Sequence, residues 1–175
     1  MKTILVMVMS ADGKTTAGKN GRVHDWSSSE DQRYFSALIK KSELVIMGRK
    51  TFLAARRNMK LSPTIHRIVL TRKPLRYKKF EVSKQLEFTD ESPQALVKRL
   101  EKYYQTALLV GGSEINSAFL KASLIDELWL TIEPLILENG KTLFSKDTPN
   151  KRMRLLHSKR LNKSGTLLLK YTVER

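Results

Sequence analysis

The sequence predicts a three-layer α/β fold, in which a mainly parallel central sheet is covered by helices and ends in an antiparallel hairpin. Strand-like and helix-like segments alternate over most of the chain, which is typical of a parallel sheet with helices on both faces. The end of the chain instead has two strand-like segments in succession, residues 152–161 and 166–173, joined by the turn-forming residues 162–165. No repeat or linker interrupts the 175 residues, so we expect one domain over residues 1–175.

The strands and helices of this fold are indicated by local patterns. Short apolar segments of buried-strand length lie at residues 3–9, 44–47, 66–71, 106–110 and 126–132. A serine before an acidic first turn and a serine followed by proline are helix starts, and apolar spacing of three to four residues marks a helical face. Helices are therefore predicted at about residues 27–41, 92–103 and 113–122.

The composition limits the kinds of partner. The 33 Lys and Arg residues exceed the 17 Asp and Glu residues and give a net charge of +16, which attracts anions. The partner is either nucleic acid or a cofactor with several phosphates. The bases are spread along the chain without interleaved aromatic residues of the kind that stack on bases, which favours a solvated basic surface and argues against nucleic acid.

Other chemistry is excluded by what the sequence lacks. There is no cysteine, so disulfides and thiolate chemistry are ruled out, and the three histidines are too far apart in sequence to suggest a metal site. No apolar run approaches the roughly 18 residues that span a bilayer, so no membrane contact is expected. The start of the chain has no secretory signal pattern, and we expect a cytoplasmic protein.

Polar clusters follow four of the predicted strands. In an open parallel sheet, ligands bind outside the carboxyl ends of the strands, where loops and helix starts converge. A ligand site is therefore expected where these clusters meet. The clusters are residues 10–14, 48–51, 71–73 and 111–115.

Three of the clusters suit a phosphorylated cofactor. Gly111 and Gly112 let a ligand approach the backbone, and the amides of the following helix can hold a pyrophosphate, although a double glycine can also be a simple tight turn. The chain lacks the Rossmann and phosphate-loop fingerprints. Arg49 and Lys50 either face the same ligand or lie in a solvated turn, and Arg72 with its neighbouring lysine could grip a 2′-phosphate.

Carboxylates form a second candidate group. Asp31, in the first turn of a helix, could accept hydrogen bonds from the amino-amidine edge of a pterin or aminopyrimidine and relay a proton. Alternatively, Glu30 and Asp31 only stabilise the helix start. Glu133 contacts the ligand or is an ordinary charge at a strand end. Trp26 forms a wall of the cleft or staples the loop to the helix, whereas Trp129 is expected in the core.

These motifs resemble the dihydrofolate reductase superfamily and, within it, the reductase domain of riboflavin biosynthesis, the RibD C-terminal type. Residues 26–35 and 45–52 are similar to the folate enzyme's tryptophan loop, acidic helix and cofactor-binding turn. Residues 10–14 and 110–134 are closer to the riboflavin branch. The resemblance covers almost the whole chain and implies the dihydrofolate reductase-like fold.

The resemblance also implies a division of roles. NADPH would be bound by Gly48, Arg49, Lys50, Thr51, Thr71, Arg72, Gly111, Gly112, Ser113, Glu114 and Ile115. A heterocyclic substrate would be held by Ser10, Asp12, Trp26, Glu30, Phe35 and Glu133. Asp31 would supply or relay the proton, and Lys14 is the alternative for a ribosylaminopyrimidine phosphate.

The expected function is NADPH-dependent hydride transfer to a pyrimidine or pteridine, of the riboflavin-pathway type. Folate reduction is the alternative enzyme, favoured by Asp31 and Trp26, and a basic nucleic-acid-binding protein on this scaffold is the alternative of another class. Val110 stands where many riboflavin-pathway reductases have glutamate, so the substrate is left open. A homodimer is compatible with this expectation, and no metal is expected.

Overall fold

A computed structural model describes residues 1–18, 21–145 and 147–174. Its strands are β1 to β8, which span Lys2–Ser10, Leu44–Gly48, His66–Leu70, Leu86–Thr89, Thr106–Leu109, Glu127–Glu133, Met153–Arg160 and Leu167–Val173. Its helices are α1 to α4, which span Ser29–Lys41, Arg49–Ala55, Pro93–Leu100 and Ser113–Lys121, and two 3₁₀ helices cover Val23–Asp25 and Pro74–Phe80. No helix in these described ranges is both long enough and apolar enough to cross a membrane.

The eight strands form one sheet in the order β4-β3-β2-β5-β1-β6-β8-β7. The strands from β4 to β6 in this order are parallel, whereas β8 is antiparallel to β6 and β7 is antiparallel to β8. The predicted parallel sheet with a C-terminal antiparallel hairpin is therefore confirmed. Because β1 lies between β5 and β6, the loops that follow these three strands meet at one edge of the sheet.

Helices cover both faces of the sheet, as the alternation of buried residues along β1 requires. Leu5 belongs to the core on the side of α3 and α4, together with Leu96 and Phe119. Val6 belongs to the core on the other side, together with Phe52 of α2. The three-layer α/β/α arrangement predicted from the sequence is thus confirmed.

One strand was not predicted. Strand β4 has only two buried apolar residues, Leu86 and Phe88, which alternate with the acid Glu87. Glu87 accepts from Arg99 Nη2 at 2.6 Å and lies 3.2 Å from His66 Nε2, so its charge is held at the sheet edge. Four residues with an acid among them are too few to stand out as a strand in the sequence.

Two helices also differ from expectation. The sequence marked only the start of α2, at Gly48 to Thr51, whereas the helix continues to Ala55. The helix predicted over residues 92–103 ends at Leu100, because both Tyr103 N and Tyr104 N donate to the Leu100 carbonyl oxygen and turn the chain.

The hairpin leaves an apolar surface exposed. Every residue of β7 is exposed, and the strand carries a β-bulge between Leu155 and His157. Met153, Leu155, Leu156 and Leu167 are 40–51% exposed, a large fraction for apolar side chains on neighbouring strands.

Candidate active site

A cleft of about 2790 Å³ runs along the carboxyl ends of the parallel strands. It is larger than the roughly 300–1,000 Å³ that is typical of a site for one small molecule. Most of the predicted cofactor residues line it: Gly48, Arg49, Lys50, Thr51, Thr71, Arg72, Gly112, Ser113, Glu114 and Ile115. Asp31 and Phe35 of α1 line the same cleft from the other side.

The glycines at the ends of β2 and β5 are in direct contact. Gly48 N donates to the Gly111 carbonyl oxygen at 2.7 Å. A Cβ atom at Gly48 would lie only 2.7 Å from Ile115 Cγ1, so this position has no room for a side chain. Gly111 has φ +89°, a conformation that glycine adopts without cost, and its peptide bond to Gly112 is cis. The contact between these glycines brings the starts of α2 and α4 together.

The start of α4 is suited to an anion. Its N-cap is Gly112, which offers no side-chain oxygen to the first-turn amides, so the amides of Ser113 and Glu114 are free for a ligand. A Cβ atom at Gly112 would meet only Thr51 Oγ1, at 3.5 Å, so the space above this glycine is open. A phosphate group fits such a position, and a side chain at Gly112 would occupy it.

Basic side chains surround this helix start. Lys50 Nζ lies 2.9 Å from Glu114 Oε1, and both side chains are largely exposed. The pKa of Glu114 is lowered, first by the hydrogen bond from Lys50 and its charge, with further contributions from Lys141 and Arg72. Arg72 therefore lies close enough to the start of α4 for its charge to act on Glu114.

Asp31 is buried at the opposite side of the cleft, with 6% of its surface exposed. Its backbone amide donates to the Ser28 hydroxyl at 3.2 Å, which caps α1, and its carboxyl group is hydrogen-bonded to the Thr131 side chain. Burial raises the pKa of Asp31 from 3.8 to about 6; the Thr131 hydrogen bond opposes this rise, the charge of Glu133 adds to it and His24 also opposes it. Asp31 can therefore gain or lose a proton close to neutral pH.

Two polar atoms near Asp31 have no hydrogen-bond partner among the described residues. They are the Tyr34 hydroxyl and Trp26 Nε1, both shielded from solvent. Burial, with a contribution from the charge of Asp31, raises the pKa of Tyr34 to about 12, so this hydroxyl keeps its proton. Tyr34 lines the cleft, whereas the half-buried Trp26 is not among the lining residues, so its predicted place in the cleft wall stays a prediction.

The two other predicted acids contact the protein itself. Glu133 is 2% exposed and accepts hydrogen bonds from Ser28 N at 2.7 Å and from Thr166 Oγ1 at 2.6 Å. Glu30 pairs with Arg33 Nη2 at 2.9 Å and accepts from Asn162 Nδ2 at 3.3 Å. Neither acid is part of the cleft wall, so their predicted contacts with a substrate stay predictions.

The loop after β1 is held by its own polar residues. Ser10, which is fully buried, donates to Asp12 Oδ1 at 2.5 Å and accepts from Lys14 N at 2.9 Å. Asp12 Oδ1 also accepts from Leu137 N at 3.0 Å, and these contacts lower the pKa of Asp12. Ser10 and Asp12 thus fix the loop that carries Lys14 against the segment after β6, and their contact with a substrate stays a prediction.

Sequence reasoning missed three residues of this region. Thr131 lies two positions before Glu133 and therefore on the same face of β6, a spacing that could have revealed it. Tyr34 lies one helical turn after Asp31, which places it on the same side of α1. Arg67, 4% exposed in the cleft wall, gave no signal because it lies inside an apolar strand; its guanidinium donates to the carbonyl oxygens of Lys60 and Ile65.

No metal centre accompanies these groups: within the ranges that the structure describes, there is no cluster of three or more histidines, aspartates and glutamates that could hold an ion. The fold and the cleft define an α/β protein with an uncapped helix start and a buried acid at the carboxyl edge of a parallel sheet.

Comparison with known proteins specifies this class. The family model of the RibD C-terminal domain matches residues 1–167, so the chain belongs to the RibD C-terminal domain family, which is a family of reductase domains. Among curated proteins, the uncharacterized protein YwjB of Bacillus subtilis (strain 168) is 27% identical over 172 residues, which cover 95% of each chain.

Solved structures support the fold. A protein of Shewanella sp. PV-4 that is ascribed to riboflavin biosynthesis has a TM-score of 0.81 and 20% identity, with full coverage of both chains. The diaminohydroxyphosphoribosylaminopyrimidine deaminase/5-amino-6-(5-phosphoribosylamino)uracil reductase of Thermotoga maritima has a TM-score of 0.74 and 18% identity. That match covers 98% of this chain and 56% of the Thermotoga chain. The riboflavin-type reductase fold expected from the resemblance is confirmed.

Proposed function

We propose that the protein is an NADPH-dependent reductase that transfers hydride to a pyrimidine or pteridine, of the riboflavin-pathway type. Its substrate would be similar to 5-amino-6-ribosylaminopyrimidine phosphate. Membership of the RibD C-terminal domain family supports a reductase. The observation that carries the proposal is the shared cleft, which has the uncapped start of α4 on one side and the buried carboxyl group of Asp31 on the other.

The residues of the cleft fit such a cofactor. The open space above Gly112 and the free amides of Ser113 and Glu114 would hold the pyrophosphate, and Thr51 lies next to them. Arg72 would bind the 2′-phosphate with its forked guanidinium. When bound, NADPH supplies the hydride, so the chain has to position the two ligands and provide one proton.

Asp31 is the group proposed to provide that proton. Its raised pKa of about 6 means that protonated and ionised forms both exist near neutral pH, which general acid catalysis requires. Its hydrogen bond with Thr131 fixes the carboxyl group at the cleft wall, where the amino-amidine edge of a heterocycle would bind. Lys14 is the alternative donor if a ribosyl phosphate brings the reacting atom closer to the loop after β1.

Folate reduction is the second candidate. It is favoured by the buried pair of Asp31 and Thr131, because a pterin offers the paired donors that a carboxylate accepts. Trp26 favours it through the resemblance to the folate enzyme's tryptophan loop. The two candidates share the cofactor and differ in the heterocycle.

One experiment separates these possibilities. NADPH oxidation is followed by absorbance with dihydrofolate and with the ribosylaminopyrimidine phosphate in parallel, and NADPH binding is titrated directly. We expect turnover with the aminopyrimidine. If only dihydrofolate is turned over, the proposed aminopyrimidine substrate is wrong and folate reduction takes its place. The absence of NADPH binding would refute the proposed function. A nucleic-acid-binding protein would instead bind DNA or RNA with steep salt dependence and without NADPH.

A further inference from the structure

We propose that Glu133 is a positioning residue for the active site: it fixes the start of α1 and places a negative charge beside Asp31. This inference rests on the proposed function in so far as Asp31 is the proton donor. The sequence left Glu133 as either a ligand contact or an ordinary charge at a strand end, and its contacts in the structure point to a third role.

Glu133 is held from two sides. Its Oε1 accepts from Ser28 N at 2.7 Å, and its Oε2 accepts from the hydroxyl of the fully buried Thr166 at 2.6 Å. A carboxylate that is only 2% exposed needs such donors, because burying a charge without them is costly. With one strong contact on each oxygen, Glu133 connects the end of β6 to the helix start and to the C-terminal hairpin.

Ser28 connects Glu133 to Asp31. Ser28 is the N-cap of α1, and its hydroxyl accepts from Asp31 N at 3.2 Å. Glu133 therefore holds the backbone of the residue that caps the helix on which Asp31 lies. Thr131, on the same face of β6, contacts the Asp31 carboxyl group itself. Strand β6 thus fixes both the helix start and the acid.

The charge of Glu133 acts on the same acid. The ionisable groups that influence Asp31 are Glu133 from β6 and His24 from the 3₁₀ helix, and Tyr34 lies on α1 itself. Glu133 raises the pKa of Asp31, in addition to the larger effect of burial, whereas His24 lowers it. In the part of the chain that the structure describes, Glu133 forms no ion pair, so no adjacent cation cancels its effect.

The test measures the protonation of Asp31 directly and does not depend on turnover. Carboxyl carbons are labelled with ¹³C, and the titration of Asp31 is followed by NMR in the wild type and in Glu133→Gln. The glutamine keeps the size and one acceptor oxygen but removes the charge. We expect the Asp31 midpoint to fall by roughly one pH unit.

The matched control is Glu127→Gln, on the same face of β6 at its other end. Glu127 also accepts two contacts, from Trp129 Nε1 at 2.7 Å and Lys2 Nζ at 2.6 Å. This variant should leave the Asp31 midpoint unchanged. An unchanged midpoint in folded Glu133→Gln, or an equal fall in the control, overturns the proposal.

A second measurement keeps the test decisive if Glu133→Gln does not fold. In that case Asp31 is titrated in Glu133→Met, which has a similar length and also removes the charge, and the same fall of the Asp31 midpoint is expected. An unchanged Asp31 midpoint in folded Glu133→Met would overturn the proposed electrostatic effect. These NMR results do not depend on turnover. If the wild type oxidises no NADPH, only the proposed function is refuted, and the role of Glu133 is still tested by NMR.

The positioning effect has its own kinetic test. Thr166→Val removes the hydroxyl that holds Glu133 Oε2, whereas Thr166→Ser retains it. We expect kcat/KM to fall about tenfold in the valine variant and to recover in the serine variant, with NADPH affinity unchanged in both. Thr172→Val, on the same hairpin but paired with Glu127 at the other end of β6, is the control. Equal activity of the valine and serine variants would refute the positioning role.

Discussion

Replacing Asp31 with asparagine should stabilise the fold at neutral pH while reducing turnover. The substitution keeps the size of the side chain but removes a carboxylate that is buried with only 6% exposure. Because the folded protein holds this carboxyl group in a site that disfavours its charge, its ionisation costs stability. The same change weakens charge-assisted hydrogen bonds to a substrate, each worth roughly 1.5–3 kcal/mol, so kcat/KM should fall at least tenfold.

The size and sign of the stability change in Asp31→Asn follow from the pKa of Asp31. The value rises from 3.8 to about 6 on folding, so between these pH values the folded chain binds more protons than the unfolded chain. The contribution of Asp31 to stability is therefore greatest below about pH 4 and is lost as the pH rises to about 6. A shift of about two units corresponds to roughly 3 kcal/mol. Asp31→Asn should avoid this loss, so its advantage should be small at pH 4 and reach roughly 3 kcal/mol at pH 7.

Urea unfolding of the wild type and Asp31→Asn at pH 4, 5, 6, 7 and 8 measures this difference. Glu30→Gln is the control, because adjacent helical residues point in different directions and Glu30 contacts Arg33 and Asn162 instead of the cleft. A stability difference between the wild type and Asp31→Asn that does not change with pH would refute the assigned environment of Asp31. Loss of activity in Glu30→Gln but not in Asp31→Asn would instead show that the other acid serves the substrate.

Three further expectations concern the cofactor and the assembly. Arg72→Ala should weaken NADPH binding about tenfold and leave NADH binding nearly unchanged; equal losses would contradict its role with the 2′-phosphate. Gly112→Ala should weaken NADPH binding with little change in Tm, whereas Gly48→Ala should lower Tm, since only the Cβ at Gly48 lies 2.7 Å from a side chain. If the exposed hairpin forms a homodimer, Leu155→Glu should shift the sedimentation coefficient to that of a monomer; a wild type that is already monomeric would refute the dimer.

Much of this architecture could be predicted because it depends on local patterns. The five predicted parallel strands are short apolar runs, and the hairpin follows from two such runs with a glycine-containing turn between them. The residues proposed to bind a cofactor lie after three of these strands, so their position at one edge of the sheet could be expected, and their role stays a prediction. Gly48 and Gly111 could therefore be expected to meet once their strands were assigned, and the structure has them in contact.

What could not be predicted depends on contacts between distant parts of the chain. Asp12 is bonded to the amide of Leu137, 125 residues later, and nothing local indicates that pairing. Similarly, the contact between Glu133 and Ser28 N spans 105 residues and determines whether the acid faces a ligand or the protein. In the sequence, a carboxylate at a strand end that faces a ligand cannot be distinguished from one that contacts the protein. Only the contacts in the folded structure distinguish the two.

The distribution of charge along the cleft gives a final argument for the orientation of its ligands. Lys50, Arg72 and Lys141 lie around the start of α4, on the side of β2, β3 and β5. Asp31 and Glu133 lie on the side of β6, beyond the central strand β1. The bases at the first side can stabilise phosphates, and the Asp31 carboxyl group at the second side can accept hydrogen bonds from a heterocycle. If the cofactor phosphates bind at the first side and the heterocycle at the second, the reacting ends of the two ligands would meet above β1. Neither the basic nor the acidic side chains would have to move for this.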